Sequence, residues 1–175
     1  MDNDQGQRGV GVSTAVDLEV DPAALRRVMA AFPTGVTALA ALVDGVPVGM
    51  AANSFTSVSL DPPLVSVCVA VTSTTWPTLR RAGRIGVSVL SHEQEAASRS
   101  LASRGIDRFA GLSWRTTDDG AILLNDASAW FDCSLDREIR AGDHEIVLLG
   151  VHGLGTDPQT PPLVFHGSRY RRLAA

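Results

Sequence analysis

The side chains able to do chemistry are few in this chain, and one run concentrates them. From Gly49 to Ser59 the sequence reads Gly-Met-Ala-Ala-Asn-Ser-Phe-Thr-Ser-Val-Ser, setting Asn53, Ser54, Thr56, Ser57 and Ser59 around one aromatic, Phe55. Such a block can be a polar loop with capping hydroxyls. It can also offer small donors and free backbone N–H groups to a flat, heteroatom-rich ligand. A second hydroxyl cluster, Thr72-Ser73-Thr74-Thr75, leads into Trp76. If a helix opens there, the cluster either caps it or holds a phosphate at its N-terminus.

Absences narrow the chemistry further. All 15 basic residues are Arg and none is Lys, which removes Schiff-base catalysis and the P-loop lysine. Any anionic ligand must be met by Arg, hydroxyls or backbone N–H groups. There is no Gly-x-Ser-x-Gly elbow. His144-Glu145 begins like a zinc-protease motif, but Leu148 stands where the second ligand belongs. Cys68 and Cys133 fit no paired-ligand spacing, so no metal site is expected. Both lie in apolar runs and are expected to be buried free thiols, with a disulfide as the alternative. Asp118-Asp119 beside Gly120 reads as a solvated turn.

The 19 acids against 15 bases give a net charge of −4, the wrong sign for a nucleic-acid surface. The acidic start, Met1 to Asp4, is no signal peptide. The longest apolar runs, Val36–Val43 and Leu64–Val71, are far shorter than a membrane span. The expectation is a cytoplasmic protein with neither nucleic acid nor membrane as partner. At 175 residues with 45% hydrophobic content, one folded domain is expected over residues 21–175, behind a flexible leader at 1–20.

The elements that must position these residues follow from period and punctuation. Asp21 suits an N-cap and Pro22 the first helical turn, while Leu25, Val28, Met29 and Phe32 fall on one helical face up to Pro33. Strands at Val36–Val43 and Val46–Ala52 flank Asp44-Gly45, a type I′ hairpin signal. Leu64–Val71 is almost wholly apolar, as a strand covered on both faces should be. A short helix at Trp76–Ala82, a strand at Arg84–Leu90 and a helix at Ser91–Ser103, with Ser91 and Gln94 as capping box, come next. Strands near Ala127–Ile139, His144–Leu154 and Leu163–Leu173 complete the chain. A β-rich domain with this many strands hides its edges best as a barrel.

Several segments together resemble the flavin reductase family. They are Phe32-Pro33-Thr34-Gly35-Val36-Thr37, the run from Pro47 through Gly49-Met50-Ala51-Ala52-Asn53-Ser54 to Leu64, Asp107-Arg108-Phe109-Ala110-Gly111, Ala141-Gly142-Asp143-His144, and Tyr170-Arg171. They occur in the family's order across roughly residues 21–173. The resemblance implies a six-stranded Greek-key FMN-binding split barrel with flanking helices, usually a homodimer. It implies direct hydride transfer from NADH or NADPH to N5 of FMN or FAD, and reduced flavin diffusing to a partner monooxygenase.

Residue by residue, the resemblance places Thr34, Gly35 and Val36 near the flavin. Asn53 and Ser54, with the backbone of Met50, Ala51 and Ala52, would border its ring and ribityl chain. Ser57, Ser59, Ser73 and Thr75 would serve the ribityl–phosphate end, with Arg84 as the candidate arginine for the phosphate. Cys68 and Val69 would line the ring. His144, as the catalytic candidate, and Tyr170 match positions associated with the nicotinamide nucleotide. Where the family commonly has Thr, this chain has Ala51, so one hydroxyl toward the flavin is missing. Ser88 and Ser168 likewise stand in place of a common Asn and Gly. Two other readings compete: an oxidoreductase that retains its flavin and reduces a ferric chelate or quinone, and a flavin-binding, redox-sensing module without turnover.

Overall fold

The computed structural model describes residues 20–173, so all but the last residue of the expected leader lies outside it. Helix α1 (Pro22–Met29) begins as the sequence predicts, with the Asp21 carboxylate accepting from the N–H groups of Ala23 and Ala24 at 2.7 Å. It stops short of Pro33, and Leu25, Val28 and Met29 are exposed rather than packed on a core. Next come β1 (Thr34–Gly35), β2 (Thr37–Val43), β3 (Val46–Ala52), β4 (Thr56–Leu60) and β5 (Pro63–Ala70). They are followed by α2 (Trp76–Leu79), β6 (Ile85–Val89), α3 (Glu95–Ala102), β7 (Trp114–Thr116) and β8 (Ile122–Leu124). The chain ends in β9 (Ala129–Ala141), β10 (His144–Thr156), β11 (Val164–His166) and β12 (Arg169–Arg171).

Seven strands form one antiparallel sheet in the order β3-β2-β6-β9-β10-β5-β4. Its two edge strands, β3 and β4, are consecutive in the chain and joined only by Asn53, Ser54 and Phe55. A flat sheet of this width would hold its edges roughly 29 Å apart at about 4.8 Å per strand. The link from Ala52 to Thr56 reaches roughly 14 Å at full extension. The sheet must therefore curl until β3 and β4 nearly meet, and it does so without pairing them. This is the split barrel, built here from a sheet of seven strands where six are expected.

The interior of the barrel is filled by Leu39, Val65, Val67, Val69, Ile85 and Val87 with their neighbours. A second core lies outside β2, where Ala38 and Ala40 meet Leu90, Leu101 and Ile122. Coverage on both faces explains why β2 is apolar at nearly every position instead of alternating. Gly86 marks the tightest crossing: a Cβ there would lie 1.9 Å from the Ile122 carbonyl oxygen, so only glycine lets β8 cross β6.

Several expectations need correction. Thr56–Leu60, within the block read as a polar loop, is a strand because β5 offers it an edge. The helix expected from Ser91 starts only at Glu95. Gln94 does accept from the Ser91 N–H at 2.9 Å, but Ser91 forms a bridge with Pro162 and stays extended. The single strand expected at Leu163–Leu173 is a hairpin, turned at Gly167 and Ser168 with φ of 61° and 58°. Both cysteines are free, but Cys68 is exposed and only Cys133 is buried, where burial pushes its thiol up to about 12.

Candidate functional site

The site grows from the place where the barrel is split. Asn53 lies in the three-residue link between the sheet's edges and forms a wall shared by two clefts. The larger, about 690 Å³, is bounded by α1, Thr34, Gly35, Asn53, Phe55 and Ser168. The smaller, about 260 Å³, is bounded by Val36, Ala51, Ala52, Asn53 and Tyr170. Ala51 and Ala52 lie on opposite faces of β3, with Ala52 packed against the barrel core and Ala51 against the outer one. In the wall of the larger cleft the Thr34 hydroxyl is buried and has no hydrogen-bond partner.

Further back along β3, Gly49 opens onto a third recess of about 300 Å³, lined by Thr74, Thr75, Thr78 and Arg108. Arg108 is a candidate that sequence reasoning leaves without a role. Its Nε donates to the Ser103 carbonyl at 2.7 Å, and its Nη1 donates to the Gly49 carbonyl at 2.9 Å and to Thr75 Oγ1 at 2.5 Å. A loop, a strand and the start of α2 are thus joined by one guanidinium. Lysine's absence is the available signal, because it leaves arginine as the only permanently cationic side chain for a phosphate. The hydroxyl cluster is held by its neighbours: Ser73 Oγ accepts from the Trp76 N–H at 3.1 Å, and the Trp76 indole donates to Glu138 at 2.6 Å. Glu138 also pairs with Arg80, fixing α2 against β9.

Arg84 belongs elsewhere. Its guanidinium forms a bidentate pair with Asp132 at 2.8 and 2.9 Å, and that hydrogen bond is the main reason its pKa is raised. Val69 turns its side chain into the barrel core, and Met50 packs against the same core. Ser57 and Ser59 sit on β4 and line none of the three clefts.

His144 stands opposite Ala70 across the β10–β5 ladder, roughly 7 Å along β5 from Cys68, and lines none of the three clefts. Its Nδ1 lies 2.8 Å from Asp143 Oδ1, and this hydrogen bond, followed by the histidine's charge, holds the Asp143 carboxyl below its ordinary value. Tyr170 is fixed from three directions. Its hydroxyl is 2.8 Å from Ser98 Oγ, Phe165 meets its ring edge-on at 5.4 Å, and Arg99 lies 4.8 Å above the ring. Ser98, buried on α3, is not legible in the sequence because nothing local marks a helix serine as a tyrosine's partner.

Comparison with known proteins gives this geometry a context. The profile of the flavin reductase like domain matches residues 29–174. A probable flavin reductase of Rhizobium meliloti is 45% identical over 144 residues, 77% of this chain, which spans only 46% of that relative. The Rhodococcus jostii protein named as the reductase subunit HsaB of a flavin-dependent monooxygenase is 38% identical, with 86% of this chain and 77% of that one covered. Among solved structures, the Streptomyces globisporus NADH:FAD oxidoreductase SgcE6, in complex with NAD and FAD fragments, superposes with a TM-score of 0.83. It is 40% identical, with 89% of this chain and 96% of that one covered. On sequence and fold alike, the chain belongs to the flavin reductase family.

Proposed function

We propose that this chain reduces free FMN or FAD with a hydride from NADH or NADPH and releases the reduced flavin to a separate flavin-dependent monooxygenase. The observation that carries the reading is the placement of two separate cavities along one strand, β3. The cleft at Ala51–Asn53 and the recess at Gly49, Thr75 and Arg108 lie about 10 Å apart along the strand, the reach of a ribityl chain with its phosphate. The donor set fits the group: Arg108 and Thr75 for phosphate, small side chains for a planar ring, and the unpartnered Thr34 hydroxyl for a ligand's polar edge.

A bound flavin supplies the hydride acceptor at N5 and a ring edge on which negative charge grows during reduction. The chain's task is to hold and to orient. Among the described residues, the N–H groups of Asn53, Ser54 and Phe55 have no protein acceptor, which leaves them for that charged edge. His144, oriented by Asp143, is the side chain assigned to the nicotinamide nucleotide, and Tyr170, held by Ser98, closes the smaller cleft. Hydride transfer needs no general base, consistent with a site poor in carboxylates. Both clefts are open to solvent, as release of a reduced product requires.

The same reading includes a homodimer in the cytoplasm. Its support is the apolar face of α1: Leu25, Val28, Met29 and, just beyond the helix, Phe32 are exposed, and Met29 and Phe32 border the larger cleft. A second copy covering them would deepen that cleft while leaving its mouth open to solvent. Among the described residues, no helix is long and apolar enough to cross a membrane. The functional test is a matrix of initial rates over FMN, FAD and riboflavin against NADH and NADPH. Turnover with at least one pair is expected, and none with any pair contradicts the reading. Sedimentation tests the dimer, for which a monomer at micromolar concentration is the contrary result.

A further inference from the structure

We propose that Ser54 is a positioning residue that forms the last rung of the split barrel with its side chain, and so holds the flavin-facing backbone without touching the flavin. The inference rests on the proposed flavin site and concerns how that site is kept in shape. β4 pairs with β5 from Leu60 opposite Pro63 to Thr56 opposite Ser66. Continued inward, the same register would set Ser54 opposite Cys68. The backbone has already left the ladder there to cross toward β3, so Cys68 would lose its partner on that edge.

The Ser54 hydroxyl takes the missing strand's place. It accepts from the Cys68 N–H at 2.9 Å and donates to the Cys68 carbonyl at 3.1 Å. One side chain thereby serves both backbone groups of a strand residue. The N–H and C=O groups of Ser54 itself stay out of the ladder, and the link at Asn53–Phe55 keeps the course that makes Asn53 a wall of both clefts. Without the hydroxyl, two outcomes are open to the chain. Either Cys68 turns its polar groups to water and the link loosens, or the link slides one rung and uses its own backbone on Cys68. Both disturb the wall at Asn53. The hydroxyl cannot at the same time be a free donor to a ligand, since its one proton goes to the Cys68 carbonyl.

The test compares Ser54→Ala, Ser54→Val and Ser54→Thr in the full chain, with FMN as flavin. Hydrogen exchange at the Cys68 amide, without flavin, reads the rung directly. Kinetics read its consequence. Two hydrogen bonds lost predict exchange faster by about ten-fold or more in the Ala and Val variants, with Thr close to the parent. The KM for FMN should rise by about ten-fold in Ala and Val and return in Thr, with more of the loss in KM than in kcat. Unchanged exchange in the Ala and Val variants overturns the proposal, as does an unchanged KM when exchange has accelerated. A Thr variant that behaves like Val also overturns it. If Ala fails to fold, the Thr–Val pair, equal in shape and differing in the hydroxyl, decides alone. Should the parent neither bind FMN nor oxidise NADH or NADPH, the proposed function fails, while exchange still reports separately whether Ser54 holds the rung.

Discussion

Arg108→Ala separates binding of a phosphate from support of the scaffold. In the structure Nε and Nη1 make three hydrogen bonds, to Ser103, Gly49 and Thr75, and these use three of the guanidinium's five N–H groups. Nη2 keeps two, and Arg108 lines a recess together with Thr74, Thr75 and Thr78. Bonds from a charged donor contribute roughly 1.5–3 kcal/mol when well buried, and Arg108 is only half-buried. The Ala variant should therefore lose roughly 2–4 kcal/mol of stability, read from urea unfolding. A charge-assisted contact to phosphate of similar strength converts to a rise in KM of about 10- to 100-fold for FMN and FAD. Riboflavin has no phosphate, so its KM should feel only the displacement of Gly49 and Thr75, a rise of about two- to three-fold. The assay is the initial rate of NADH or NADPH oxidation at varied FMN and riboflavin. Equal losses for the two flavins would show that Arg108 is scaffold alone and would refute its assignment to phosphate.

Other substitutions probe the frame around the site. Gly86→Ala places a Cβ against the Ile122 carbonyl and should destabilise by about 3 kcal/mol or more, since backbone must move; a midpoint in urea equal to the parent's would contradict this. Arg84→Met leaves the largely buried Asp132 unpaired and should cost roughly 2–3 kcal/mol, with the KM for FMN within about two-fold of the parent. A large rise in that KM would return Arg84 to the phosphate site. Because His144 depresses the Asp143 carboxyl, this pair stabilises the fold above the ordinary carboxylate pKa of about 3.9, and the contribution is lost as pH falls through the lower folded value. His144→Ala should move the Asp143 titration, followed by carboxyl-carbon NMR, up toward its ordinary range. An unmoved titration would mean that the hydrogen bond is absent in solution.

Local signals carry much of the fold. Asp21-Pro22 marks the start of α1, and Asp44-Gly45 marks the β2–β3 turn, with φ of 53° and 77° at its two residues. The features that stay hidden depend on partners distant in sequence. Thr56–Leu60 is polar enough to read as loop and becomes a strand only because β5 presents an edge. Ser91 resembles a helix start, yet Pro162 draws it into a bridge. Gly167-Ser168 carries a turn signal that the surrounding β-rich run obscures.

The candidate site shows the same division. The Gly49–Ser59 block and the Thr72–Thr75 cluster are visible as residues that could meet a flavin. Their individual roles are not, because a hydroxyl's partner is set by register. Ser54 turns to Cys68, Ser73 to Trp76 and Thr75 to Arg108, while Arg84 turns away to Asp132. Composition says only that any cationic side chain serving a phosphate is an arginine. Three-dimensional proximity to Thr75 and Gly49 makes Arg108 the candidate.

The central claim, flavin reduction by a nicotinamide nucleotide, is tested most directly by anaerobic bleaching of added flavin. Catalytic amounts of the purified chain are mixed with excess FMN or FAD and then with NADH or NADPH. The account predicts many turnovers of flavin bleaching per protein chain, with nucleotide oxidised in equal amount and none oxidised when flavin is withheld. Bleaching limited to one flavin per chain, or no faster than in the protein-free mixture with either nucleotide, would contradict it.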